Sequence, residues 1–333
     1  MTTQTDELTA PSAGLTDDIA QSVETDFSLN DDATVSLKGE KIAVLQKQDD
    51  VLAPTAKLLT EGADEKTLET VNRWVSFHLN KMLAPLFAAR AALTDETMTQ
   101  NARAILTQTL DRFGIIRRER LKEYLKILTE DDKKALAKTG IRLGYNFLFF
   151  PMLLKPAAQR TLAVLWKIAN EKTDIEGGIA ADGKMSFEVD PDVPKALYFV
   201  QGYIWAGKRA IRVDVMERFT SKLREVTRQD KETPQPLPLD LLSTAGLKRD
   251  EAADVFGFLG FDVIKETTTG ENDEIKETLF IRMKPKKPVF KPKKPAPAKK
   301  RENAKKRVAP PREKEVDLSD SPFACLAVLK KKQ

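Results

Sequence analysis

The chain has 333 residues, of which 41% are hydrophobic and 32% charged, enough for two modest domains with cores of their own. No apolar run approaches the roughly 18–20 residues that span a bilayer. A single cysteine, Cys325, excludes an internal disulfide framework, and the opening Met1-Thr-Thr-Gln-Thr-Asp-Glu7 has neither the basic region nor the apolar core of an export signal, so a reducing cytoplasmic setting is expected. The net charge of +5 hides a partition. Residues 1–37 carry eight acidic side chains and no lysine or arginine, whereas residues 282–314 carry fifteen basic and two acidic ones, which leaves the body between them balanced. Nonspecific attraction to polyanions is therefore expected to reside in the C-terminal segment.

Residues 1–30 form an acidic leader with too few large apolar side chains to offset its ordering entropy, and it is expected to be disordered. A first domain, 31–174, opens with Val35-Ser-Leu37 and Ile42-Ala-Val-Leu45, whose alternation around Lys38-Gly39 predicts a β-hairpin. Asp64 is placed to cap a helix over Thr67 to Leu86, where Leu68, Val71, Trp74, Val75, Leu79, Met82 and Leu83 recur at three- and four-residue steps. His78, the chain's one histidine, sits on that stripe and reads as a packed imidazole, because no cysteine or carboxylate stands at ligand spacing. A second helix, Thr97 to Phe113, ends at Gly114, a suitable left-handed C-cap. A third is expected from Arg118 to Leu128, and Thr129 caps a fourth to Lys138. Phe147 to Phe150 stands before Pro151 and reads as a short strand. Its aromatics belong either to a core or to a stacking platform for bases, and aromatic side chains more often serve the core. Pro156 then suits the first turn of a helix carrying Leu162, Leu165 and Trp166 over that strand.

The second subdomain, 175–283, begins with a glycine- and proline-rich connection in which Met185 to Val189 reads as an edge strand. Tyr203-Ile-Trp205 and Arg209 to Val213 read as a strand pair, after which Asp214 caps a helix burying Met216, Phe219, Leu223 and Val226. Lys208, Arg209 and Arg212 beside Trp205 form the candidate nucleic-acid-facing cluster of the body; the competing reading is an aromatic lid with surface arginines. Short helices at Leu239–Ala245 and Arg249–Leu259, then strands Gly260–Ile264 and Thr278–Arg282 around a polar loop, follow the order of a winged-helix element. Its second helix carries three acids and one arginine, which suits protein packing better than a DNA groove.

Residues 284–315 alternate lysine clusters with prolines, a composition that keeps a polycation extended and solvated. Lys286, Lys287, Lys291, Lys293, Lys294, Lys299, Lys300, Arg301, Lys305, Lys306 and Arg307 are the candidate phosphate-binding residues, since such an arm neutralises phosphates and releases counterions without reading sequence. Residues 316–333 regain amphipathic character with Leu318, Phe323, Leu326 and Leu329, and read as a short docking helix.

Gly140-Ile-Arg-Leu-Gly144, Phe150-Pro-Met-Leu-Leu-Lys-Pro156, Leu83-Ala-Pro-Leu-Phe87, Ala210-Ile-Arg-Val-Asp214 and Asp320-Ser-Pro-Phe-Ala324 occur in consistent order. Together they resemble the region beyond the motor in alphaproteobacterial helicase-related proteins similar to the mitochondrial degradosome RNA helicase. A superfamily 2 motor needs a phosphate-cradling loop ending in Gly-Lys-Ser or Gly-Lys-Thr and an acidic metal-holding motif. Neither occurs in the sequence. The resemblance therefore implies the accessory part of such a system: a non-catalytic RNA- or DNA-binding protein without cofactor or metal, working with a separate motor or RNA-processing protein and without a membrane. The alternative is a protein–protein interaction scaffold. The expected fold class is α+β, mainly helical with small β elements.

Overall fold

The computed structural model describes residues 24–59, 65–228, 230, 233–269 and 275–285. The chain divides into two units, Met1–Pro285 and Lys286–Gln333. Residues 286–333, where nearly all of the expected basic arm and the expected docking helix fall, lie outside the described residues, as does the expected cap Asp64.

The first unit is α+β. It opens with a four-stranded antiparallel meander: β1 (Phe27–Leu29), β2 (Thr34–Leu37), β3 (Glu40–Gln46) and β4 (Thr55–Leu58), in that order. β1 falls within the stretch expected to be disordered, and its pairing of Phe27 with Leu37 supplies a partner that local sequence does not announce. The β2–β3 turn is made by Lys38 and Gly39, both at positive φ (50° and 95°), the twist that a two-residue hairpin prefers.

Two helices follow where one was expected. α1 (Glu65–Met82) ends before Pro85, and α2 (Ala84–Ala92) takes that proline into its first turn, where the missing N–H breaks no helical bond. His78 stacks on Trp74 with ring centroids 4.9 Å apart. α3 (Gln100–Leu110) is capped by Thr99, whose hydroxyl accepts from the Ala102 amide. The chain then turns through Phe113 and Gly114, both at positive φ, into β5 (Ile115–Arg117). The expected helix from Arg118 is replaced by this strand, a 3₁₀ turn (Arg118–Leu121) and a short α4 (Lys122–Lys126). α5 (Glu130–Lys138) starts with a capping box between Thr129 and Asp132, and Asp132 also accepts from the Thr99 hydroxyl at 2.5 Å.

Between two cores of the first unit lies the small sheet β5-β7-β6, with β6 at Arg142–Leu143 and β7 at Phe147–Phe149. Side chains alternate across a strand. Leu148, with Phe150 just beyond the strand, enters a core built on α1, α2, α3 and the N-terminal meander, whereas Phe147 and Phe149 enter a second core made largely of residues after Ile204. All four side chains are buried, so the aromatic block is core and presents no platform. α6 (Pro156–Ala169) begins on Pro156 and is buried on nearly every side: Leu162 and Leu165 face the first core, while Trp166 turns to a third cluster with Tyr198 and Tyr203. On the same helix, the Lys167 ammonium donates to the carbonyls of Ile175 and Asp31, and burial lowers its pKa.

A second three-stranded sheet, β8-β10-β9, uses Ser186–Glu188, Arg209–Arg212 and Tyr203–Ala206, with α7 (Lys195–Val200) leading in. α8 (Val213–Val226) follows directly. Asp214 lies inside its first turn and pairs with Arg212, so it does not act as the expected cap. Then come β11 (Gln235–Pro236), α9 (Asp240–Thr244), α10 (Ala252–Phe258) and the hairpin β12 (Phe261–Thr269) with β13 (Ile275–Met283), in sheet order β11-β13-β12. The hairpin strands run well into the stretch expected to be a polar loop, because Lys265 to Thr269 continue the register with Leu279 to Ile275. Among the described residues, no helix is long and apolar enough to cross a membrane.

Candidate nucleic-acid interface

The cationic cluster expected on the β9–β10 hairpin is largely consumed by internal bonding. Lys208 is exposed at the turn. Arg209 and Arg212 are three apart on one strand, which sends them to opposite faces of the sheet. The Arg209 guanidinium donates to Ser186 Oγ at 2.7 Å and lies 3.9 Å from Glu251, tying the sheet to the segment before α10. Arg212 forms a bidentate pair with Asp214 at 2.7 and 3.0 Å, and that carboxylate raises its pKa further. Trp205 donates its indole N–H to the Gly207 carbonyl and packs edge-on against Tyr198. The eleven candidate residues from Lys286 to Arg307 lie outside the described residues.

A different group of cations converges elsewhere. Two adjoining cavities, of about 580 and 830 Å³, share Arg118 and Tyr145 as walls. Arg117, Lys122 and Lys126 line the first, together with Phe258. The second receives Arg142, Arg218 and Arg224. All seven cations are exposed. Of the three carboxylates lining the cavities, Asp214 is held by Arg212 and Glu217 is committed to backbone amides, which leaves Glu119 as the outlier. Lys126 is paired with Glu123 at 2.8 Å, an exposed contact that a polyanion can displace because solvent screens it. A body that is neutral in sum thus concentrates positive charge on one concave surface.

The cleft is organised by the Tyr145-Asn146 turn between β6 and β7. Two-residue hairpin turns favour positive φ, yet neither residue has it. The turn is instead held from outside. The Glu217 carboxylate, from α8 and only 6% exposed, accepts the backbone N–H groups of Tyr145 (2.5 Å), Asn146 (2.8 Å) and Phe147 (2.9 Å). The Asn146 side chain donates to Thr220 Oγ1, and Arg118 donates from its guanidinium to the Gly144 carbonyl and from its amide to the Asn146 carbonyl. Gly144 is required here: a Cβ would stand 2.6 Å from both Glu217 Cδ and the Phe147 carbonyl oxygen. The result is a rigid tip that displays the Tyr145 ring, 51% exposed, with the Arg224 guanidinium 5.0 Å from its centroid. Across the first cavity, Arg117 lies 5.0 Å over the Phe258 ring.

These residues come from 117–126, 142–147 and 214–224, with Phe258 from α10, and only folding makes them neighbours. One signal is nevertheless present in the sequence. On α8, Asp214, Glu217, Arg218, Ser221 and Arg224 form a polar stripe at helical spacing opposite the buried Val215, Met216, Phe219 and Leu223. Reading only the apolar face of that helix leaves the stripe unused.

No family model matches the chain, and neither a curated protein nor a solved structure does.

Proposed function

We propose that this chain is a non-catalytic nucleic-acid-binding protein, with RNA the preferred polymer, serving as the accessory region of a helicase system. The observation that carries the reading is the pair of adjoining cavities lined by seven exposed cations around an exposed tyrosine. Arginine and lysine on a concave surface attract a phosphodiester backbone, and guanidinium forks suit its oxygens. The Lys/Pro-rich arm adds phosphate binding of the same kind without sequence preference. The helicase link rests on the resemblance, and two of its phrases fall on the cleft: Gly140 to Gly144 leads into the tyrosine turn, and Ala210 to Asp214 leads into α8.

We read the segment from α8 to β13 as a winged-helix element, because helix, short strand, two helices and hairpin follow in that order with β11 beside β13. Its α10 is not the groove-reading element. Asp254 lies against Gly207, Phe258 lies under Arg117, and the residues of α10 on the exposed side are Ala253 and Asp254. In this reading the nucleic acid meets α8 and the tyrosine turn.

The test is binding of fluorescent RNA by the whole chain across a salt series, alongside an Arg142→Gln/Arg218→Gln variant and a chain lacking Lys286–Lys314. Each alteration is expected to weaken binding and flatten the salt dependence, by about 0.7 in log–log slope for each single-strand phosphate that is no longer neutralised. ATP turnover should stay at background with or without RNA. A chain that binds no RNA at low salt, or whose affinity ignores both alterations, refutes the proposal.

A further inference from the structure

We propose that the cleft selects single-stranded nucleic acid by stacking one base on Tyr145, a proposal that rests on the nucleic-acid reading above and specifies its substrate. Exposed apolar side chains are ordinary when they occur singly. Tyr145 differs in how it is held. A buried carboxylate, a threonine hydroxyl and the Arg118 guanidinium all converge on its turn, so the backbone that carries the ring is braced before any ligand arrives. Preorganisation of that kind reduces the ordering cost of binding.

The surroundings of the ring supply the rest. Tyr145 lines both cavities, whereas Arg224, which backs the ring, lines only the second. Tyr145 thus stands as a partition between the two cavities, and at 51% exposure it leaves surface beyond the Arg224 contact for a planar partner. That cavity, about 580 Å³, lies within the range that accommodates small organic ligands and has Phe258 on its wall. Cations stand on both sides of the partition: Arg117, Lys122 and Lys126 on one, Arg142, Arg218 and Arg224 on the other. A strand laid across the tip meets positive charge before and after the stacked base, which is the arrangement of an aromatic platform inside an electrostatic groove. A duplex meets the same cations, but its bases are stacked on one another and present no face to the ring. Phosphate binding is thus common to both forms, and the tyrosine stack belongs to the single strand alone.

The experiment measures the affinity of the full chain for oligouridine and for a blunt RNA duplex, with Tyr145→Ala, Tyr145→Leu and Tyr145→Phe compared with the native protein. Alanine and leucine are expected to weaken oligouridine binding about 5- to 150-fold, the range for loss of one base–aromatic stack, and to leave duplex binding unchanged; phenylalanine retains the native affinity. Thermal melting of each variant checks the fold, which should persist because the Glu217 bonds reach the backbone of the turn. Leucine preserves much of the side-chain bulk and keeps the test valid if alanine unsettles the tip. Equal losses on both ligands, or none on the single strand, overturn the stacking proposal and leave the general nucleic-acid reading standing. A native chain that binds neither ligand overturns both.

Discussion

Replacing Glu217 by alanine tests how the tyrosine turn is built. The carboxylate is buried and accepts three successive backbone N–H groups at 2.5–2.9 Å. Without it, the Tyr145 and Asn146 amides recover part of their bonding from water, since both residues are partly solvent-accessible. Phe147 is 1% exposed, and its orphaned N–H carries a full desolvation penalty of about 1–3 kcal/mol. The other two bonds to a charged acceptor add about 1 kcal/mol each after rehydration. The expected destabilisation of Glu217→Ala is thus about 3–5 kcal/mol, and that of Glu217→Gln, which keeps one acceptor oxygen, about 1–3 kcal/mol. Urea unfolding followed by circular dichroism gives both values by linear extrapolation, with an unchanged slope showing that the same surface is exposed. An alanine variant within about 1 kcal/mol of the native chain refutes this account of the turn, because an ordinary surface substitution costs no more than that.

Three further outcomes are expected. Phe149→Ala, at a 1% exposed position of β7, should cost about 3–5 kcal/mol and lower the melting temperature, while leaving RNA affinity unaltered at temperatures where the protein is folded. The Thr99 hydroxyl and then the Thr129 amide hold the Asp132 carboxyl below its usual pKa. A depressed carboxylate stabilises the fold above the unfolded value near about 3.9 and loses that contribution as pH falls through the folded value, so Asp132→Asn should narrow the difference in urea midpoint between about pH 6 and pH 3. The double variant Arg212→Ala/Asp214→Ala should destabilise the chain, because it removes a half-buried bidentate pair, yet leave the salt dependence of RNA binding as it was, because the pair adds no net charge to the cleft, which separates it from Arg142 and Arg218.

The features legible in the sequence are those decided within a few residues. Lys38-Gly39 specifies its turn, Thr129 its helix start, Pro156 the first turn of α6, and Gly114 its left-handed position. Strands of two to four residues such as β1, β5 and β11 are different, since so short a run has no usable period and forms only because a partner arrives from elsewhere in the chain. Pro85 ends α1 early for a local reason, while the apolar stripe continues through it and masks the break. The cleft is harder to read. Lys208, Arg209 and Arg212 are adjacent in sequence and are divided by strand alternation, whereas Arg118, Arg142 and Arg224 are distant in sequence and share a wall. Clustering along the chain is a poor guide to clustering in space when the residues sit on a strand.

The sheet β5-β7-β6 also governs where the chain tolerates division. Its central strand gives alternate side chains to two cores, and the later core also draws Ile115 from β5. A break in the glycine-rich connection after α6 would strip the C-terminal half of Ile115, Phe147 and Phe149 and leave those same side chains bare on the N-terminal half. Neither piece would be a heritable module. Gene fission or insertion of a reporter is therefore compatible with this fold only where no core is cut, and the two cores should gain and lose structure together in hydrogen exchange.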